Sequence, residues 1–475
     1  MLFRLIYDDH LAQAAYLIGC QKTGEAIVID PERDVDRYLD LATREGLRLV
    51  AATETHIHAD FVSGCRELAE RGVKVYLSGE GGPDWSYQWL NKRTGGGQYD
   101  HHLLRDGDTI HIGNIEIKAV HTPGHTPEHL SFLVTDRGGG AAEPMGIATG
   151  DFVFVGDLGR PDLLESAAGH AGAAAPSART LFRSVAKFGA LPDYLQVWPG
   201  HGAGSACGKA LGAVPQSTVG YERRFNPAIA AARAEGAFVD YILSGQPEPP
   251  RYFARMKKWN KEGPPVLGHV PTPRRASAEE LVRLDAKAVA IVDTRPWREF
   301  MAGHLKGSLY IPFGTSFPTE AGSLIEPHEP IHLIIDESRL DEGVRDLIRV
   351  GLDRVETWSP PESVAEVASL GGAIATSKES TPEAARARLG AFFVLDARKA
   401  TEHAELRIDG TTQVSHTQIA SNLARLPKDR PILVHCKSGG RSARVCAYLD
   451  RLGYDATNLA GGITAWHKAG LPVKP

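Results

Sequence analysis

The sequence predicts an α/β protein of three domains, and three observations carry that expectation. Short apolar strands alternate with helical segments along most of the chain. Two stretches rich in proline, glycine and small residues, 244–273 and 369–390, interrupt the alternation without sustained periodicity. The two pieces beyond the first interruption repeat one another. "AIVDTRPWREF" (290–300) matches "FVLDARKATEH" (393–403), and "IHLIIDES" (331–338) matches "PILVHCKS" (431–438). Strand followed by helix in each copy argues for parallel sheets. At 475 residues the chain is too long for one ordinary core. The expected divisions are 1–262, 268–368 and 378–475.

Composition narrows the function classes. The chain is 42% hydrophobic and 23% charged, and no apolar run in it is long enough for a membrane span. The opening "MLFRLIYDDHLAQAAYLIGC" reads as strand, turn, strand and not as a secretory signal. A net charge of −5 spread along the chain gives no nucleic-acid footprint and no membrane-binding face. Cys20, Cys65, Cys207, Cys436 and Cys446 are sparse and odd in number. Free thiols in a reducing, cytoplasmic setting are therefore expected.

The first domain places histidines on loops at strand ends. "LRLVAATET" (47–55) is a strand leading to His56, His58 and Asp60. "TIHIGNIEIKAVHTPGH" (109–125) is a hairpin and strand leading to His121 and His125. "GIATGD" (146–151) ends on Asp151, and "PGHG" (199–202) carries His201. Imidazole and carboxylate on glycine-lined loops suit a divalent metal. One such histidine would be an ordinary core or surface residue; four loops in order favour the metal. Asp60 has a second reading, as the cap of a helix in "FVSGCRELAERG". His121 and His129 read as loop hydrogen-bonders, Cys65 as a small buried hydrophobe, and 165–180 as loop.

"THIHADF", "HTPGHT", "TGD" and "PGHG" together resemble the metallo-β-lactamase superfamily. That resemblance implies an αββα sandwich over 1–262. Dinuclear members carry a histidine directly after the first aspartate, where this chain has Phe61. The resemblance then narrows to the persulfide dioxygenases, which implies Fe(II), one per chain, held by His56, His125 and Asp151. Two histidines and a carboxylate with open positions form the facial triad of non-haem iron oxygenases. His58, Asp60 and His201 are implied as outer-shell groups. Cys207, in "PGHGAGSACGKALG" (199–212), is implied as a thiol carrying or receiving sulfur beside the metal; a packed, unreactive cysteine is the alternative. Arg223 and Arg224 in "GYERRFNP" are candidates for an anionic thiol's carboxylates.

The third domain carries "ILVHCKSGGRSARVCAYLDRLGY" (432–454), with Cys436 between a strand and a helix. Backbone N–H groups from Lys437 to Ser442, the helix N-terminus and Arg441 are placed to stabilise a thiolate, persulfide or oxyanion. Gly439 and Gly440 permit the tight curvature. Lys437, Ser438, Gly439 and Gly440 separate Cys436 from Arg441, one residue fewer than a phosphate cradle needs. The short loop resembles the rhodanese sulfurtransferases, as does "NLAGGITAWHKAGLPV" (458–473). Cys436 and Arg441 are then the expected catalytic pair, Lys437, Ser438, Gly439, Gly440 and Ser442 the binding loop, and Cys446 a core residue.

The middle copy keeps a rhodanese-like opening, "VDTRPWREFMAGHLKGSLYIPF" (292–313), with Asp336 expected at the active position and no cysteine between 207 and 436. It is expected to be inactive. The whole chain resembles bacterial persulfide dioxygenase–rhodanese fusions of sulfide oxidation. The fold expected is thus an αββα sandwich followed by two rhodanese-like α/β domains. The implied partners are a small-molecule thiol persulfide, O2, sulfite and thiosulfate, with the direction of sulfur transfer open and a homo-oligomer expected. Two rivals stand: a glyoxalase II-like thioester hydrolase fused to a sulfur-carrier rhodanese, and a non-enzymatic sulfur carrier.

Overall fold

Side-chain alternation builds the first layers. In the strands Gln13–Cys20 and Glu25–Ile29, Leu17, Ala26 and Val28 face one way while Tyr16, Ile18, Ile27 and Ile29 face the other. Both faces are apolar, so both must be covered. The structure, a computed structural model, describes residues 1–167 and 169–475. The chain divides into two compact units, Met1–His269 and Val270–Pro475.

The first unit holds two six-stranded sheets. One runs in chain order from Leu2–Asp8 to His101–Leu104, antiparallel at its first two pairings and parallel thereafter. The other has Gly146–Gly150 at its centre, parallel to Gln196–Pro199 and antiparallel to Leu130–Asp136. Tyr16, Ile18 and Ile29 meet Ile117, Phe132 and Trp198 between the sheets. The helices Asp36–Arg44 and Cys65–Glu70 cover one outer face with Tyr38 and Leu68. The helices Ala174–Gly189 and Glu235–Leu243 cover the other with Leu181, Phe188 and Phe238. Helix, sheet, sheet, helix is the expected sandwich.

The second unit contains two five-stranded sheets of one topology. The first has the order Arg274–Arg275, Val355–Ser359, Ile331–Ile334, Ala290–Asp293, Leu309–Tyr310. The second has Lys378–Ser380, Ala456–Leu459, Ile432–His435, Phe393–Asp396, Thr412–Gln413. Every pairing in both is parallel, so the sequence repeat is a repeat of fold. Among the described residues no helix is long and apolar enough to cross a membrane.

Four expectations are corrected. The run 165–180 is not all loop: Ala174–Gly189 is a helix whose small residues fit against the sheet, and residue 168 lies outside the described residues. The interruption at 244–273 contains the helix Phe253–Glu262, which belongs to the first unit and buries Phe253, Met256, Lys257 and Asn260. Asp60 caps nothing, because the helix starts at Cys65 behind Gly64. Register also moves the active position of the middle copy. Asp293 pairs with Ile334 as Asp396 pairs with His435, so Ile335 matches Cys436 and Asp336 matches Lys437.

Candidate metal centre and thiol loop

Asp30 organises the first metal-like loop. It sits at the left-handed φ of 53°, and its Oδ1 accepts from the Thr55 amide at 2.6 Å while its Oδ2 accepts from the Thr55 hydroxyl at 3.0 Å. The Thr55 hydroxyl proton being spent on Asp30, its oxygen can only accept from His56 Nδ1, 3.0 Å away. His56 therefore keeps its Nε2 lone pair free. His125 is fixed likewise: its Nδ1 donates to the Arg160 carbonyl at 2.9 Å. Orienting a histidine through its other nitrogen is how metal-ligand tautomers are set.

The two free nitrogens converge on one oxygen. Asp151 Oδ2 lies 3.9 Å from His56 Nε2 and 3.5 Å from His125 Nε2. All three residues are buried, and their ligand atoms lie within 4.8 Å of one another. Neither Asp151 oxygen has a hydrogen-bond donor among the described residues, a state buried polar atoms rarely tolerate without an ion or water. Burial holds both histidines well below their ordinary pKa, so they are neutral. Burial and Asp60 push the Asp151 carboxyl up to about 6, against the pull of His201. The donor set fits a divalent cation. Two glycines allow the approach: at Gly150, φ 48°, an added Cβ would meet Thr55 Oγ1 at 2.3 Å, and at Gly200 it would meet Asp151 Oδ1 at 2.8 Å.

The expected outer-shell residues gather on the far side of Asp151. His201 Nε2 is 3.4 Å from Asp151 Oδ1 and 3.1 Å from Asp60 Oδ2, the latter an ion pair without hydrogen-bond alignment. Burial opposes its charge, but Asp151 and Asp60 outweigh it and raise His201 well above its ordinary pKa. Cys207 joins Asp60 and His201 in a second buried group whose ligand atoms also lie within 4.8 Å. Its thiol is raised by burial and by Asp60 and Asp151. His58 bonds Asp30 at 3.1 Å; burial opposes its charge but Asp30 wins, lifting it to about 9. Phe61 is fully buried and lays its ring 4.3 Å from that of His58. His121 donates to the Pro127 carbonyl and His129 meets the Thr122 hydroxyl, while Cys65 is buried. Arg223 and Arg224, on the helix Val219–Phe225, pair instead with Asp193.

The thiol loop follows from a strand end and a helix start. Cys436 follows Ile432–His435, and the helix Gly440–Arg451 begins four residues on, behind Gly439 at φ 101°. The Gly439 amide donates to the sulfur at 3.1 Å and the Ser442 hydroxyl at 3.3 Å. Lys437 and Ser438 are exposed at the loop's tip. Arg441 is held in a two-pronged pair with Glu402 at 2.7 and 2.8 Å, which offsets part of the positive potential expected of it. Cys446 is buried in the helix.

Residues 8–201 match the family model of the metallo-beta-lactamase superfamily, and 381–469 that of the rhodanese-like domain. The crystal structure of a metallo-beta-lactamase from Staphylococcus aureus subsp. aureus COL is 41% identical, with TM-score 0.67 over 76% of this chain and 99% of that one. The chain belongs to the metallo-beta-lactamase superfamily. Within it, the mitochondrial persulfide dioxygenase ETHE1 of Bos taurus is 30% identical over 48% of this chain and 75% of its own length. A sulfurtransferase of Allochromatium vinosum is 40% identical over 17% of this chain and 77% of its own length. These likenesses support persulfide oxidation and sulfur transfer as the chemistry of a superfamily member joined to a rhodanese-like domain.

Three contributors to the superfamily site escaped the sequence reading. Asp30 lies upstream of the histidine motifs and signals itself only through a left-handed backbone. Glu128 accepts from the Ile57 amide at 2.8 Å. Asn260 donates to the carbonyls of His58 at 2.9 Å and Phe61 at 2.7 Å and accepts from the Ser63 amide at 2.9 Å, bracing the whole loop.

Proposed function

We propose that this chain is a persulfide dioxygenase with sulfurtransferase activity: residues 1–262 oxidise a low-molecular-weight thiol persulfide to sulfite, 268–368 are an inactive rhodanese-like domain, and 378–475 transfer sulfane sulfur. The observation that carries the reading is the convergence of the free Nε2 atoms of His56 and His125 on Asp151, with Phe61 at the sequence position where dinuclear members carry a histidine. His56, His125 and Asp151 would hold one Fe(II). That ion, when bound, supplies open positions for O2 and sulfur and the electronic activation of O2.

The chain's own groups do the rest. The Asp60 carboxylate, 3.1 Å from His201, is placed to take a proton released as persulfide, dioxygen and water become thiol, sulfite and two protons. In the thiol loop, the Gly439 amide and Ser442 hydroxyl stabilise a thiolate or persulfide on Cys436. Sulfite attacking the outer sulfur of that persulfide gives thiosulfate and returns the Cys436 thiolate; the reverse step loads Cys436 from thiosulfate. Cys207, buried beside Asp60, would take the outer sulfur of the persulfide and release its thiol only once Asp60 has removed its proton, because burial and the neighbouring acids hold it protonated.

The hydrolase rival needs a second ion, for which Asp60, His201 and Cys207 are the available group. Phe61 in place of a further histidine favours the one-ion reading. Asp151→Asn tests the proposal. It should strip iron from the purified protein and lower persulfide-dependent oxygen uptake at least ~100-fold, with thiosulfate-to-cyanide sulfur transfer unchanged. Oxygen uptake surviving in an iron-free variant would overturn it.

A further inference from the structure

Lys257 is a charged residue that neither the fold nor the metal centre accounts for. It lies on the helix Phe253–Glu262, one turn before Asn260, and is 6% exposed. Its ammonium has no hydrogen-bond partner among the described residues. The face of Trp85, 4.6 Å from the nitrogen, is the aromatic surface it rests against. Burying a cation without a carboxylate partner is costly, so its retention asks for a reason outside stability.

The surroundings locate that reason. Asn260, one turn on, bonds the carbonyls of His58 and Phe61, and Trp85 packs with Glu128 about Gly81, so Lys257 stands beside the loop that carries His56. The site also gathers the acids Asp60, Asp151 and Glu128 in a buried space. Against those carboxylates, a buried cation would add to the pull of the bound ion on an anionic substrate. Burial brings Lys257 down to about 8, with Glu128 and Cys207 opposing, so the lysine is mostly charged at neutral pH.

Resting on the persulfide reading above, we propose that Lys257 is the anion-binding group of the first unit's site, taking the charged reacting end of the substrate: the persulfide's terminal sulfur anion on entry and sulfite on leaving. A carboxylate on the thiol's body is the other source of negative charge, but a buried cation beside the loop that carries His56 is placed for the reacting end.

The test uses the full-length, Fe(II)-loaded protein in a Cys436→Ser background, which removes the second sulfur site. Sulfite binding is measured anaerobically by calorimetry with and without Lys257→Met, alongside thermal unfolding. Lys257→Met should bind sulfite at least ~10-fold more weakly, the loss expected for one charge-assisted hydrogen bond. It should melt no lower than its parent, since methionine replaces an unpartnered buried cation with an apolar chain. Lys257→Gln serves if Lys257→Met does not fold. Unchanged sulfite affinity overturns the inference. Weakened binding of glutathione alone also overturns it, by assigning the lysine to a carboxylate. Persulfide-dependent oxygen uptake, followed in the same preparations, separates the two readings. Uptake with Lys257-indifferent sulfite binding fails this inference only; absent uptake with Lys257-dependent binding fails the dioxygenase and keeps the anion site.

Discussion

Single hydrogen atoms decide the character of the first site. Asp30 consumes the Thr55 hydroxyl proton, Thr55 then fixes His56, and the Arg160 carbonyl fixes His125, so each ring presents a lone pair before any metal arrives. Asn260 holds the loop that carries these groups through three hydrogen bonds. Asn260→Ala should therefore weaken iron retention by about 10- to 100-fold against a competing chelator, the range for lost supporting contacts. It should also destabilise the fold by about 2–3 kcal/mol, because buried carbonyls and an amide lose their partners. Iron retention equal to wild type would show that the loop is held by other means.

Elements explain what was legible and what was not. The histidine motifs and the thiol loop were readable because each is a short contiguous string whose chemistry travels with its spacing. The helix Phe253–Glu262 was not, since proline and glycine flank it and its buried residues Lys257 and Asn260 are polar. Ala174–Gly189 was masked by small residues that read as loop. The middle copy's active position was misplaced by one residue because the repeat was aligned by strings, and only strand register separates Ile335 from Asp336.

The helix Gly440–Arg451 ties the two copies of the second unit together. Its Ala443 and Ala447 pack on Phe300 and Tyr310, and Arg451 bonds Glu329 at 2.7 Å. Glu320, 2% exposed, takes His416 at 3.1 Å and Arg444 at 3.3 Å. Glu320→Ala should cost about 1–3 kcal/mol in urea unfolding, because it takes the buried carboxylate partner from the half-buried Arg444 and His416. A loss under 1 kcal/mol would deny the brace.

Two strands of this unit also predict an acid response. Burial lowers His332 and His435 from 6.5 to about 4. Between those values the unfolded chain binds the protons and the folded one does not, so stability falls as pH drops from about 6.5 to about 4. Each histidine contributes up to roughly 3 kcal/mol of that loss. His332→Gln should remove its share of the slope in urea midpoints taken across the window; an unchanged slope would refute the assignment.

At the scale of the whole chain, the proposed reading puts an oxygen-using site and a sulfur-transferring site on one polypeptide, with complementary reactants. Sulfite would be the product of the first and an acceptor for the second. The central claim is that the first site consumes O2 on a persulfide, and it is tested most directly by oxygen uptake of the Fe(II)-loaded protein on adding glutathione persulfide, with sulfite and thiosulfate assayed in the same samples. The account predicts one O2 taken up per sulfur oxidised, and it predicts that Cys436→Ser keeps the uptake while shifting product from thiosulfate to sulfite. No uptake by protein shown to contain iron would contradict it.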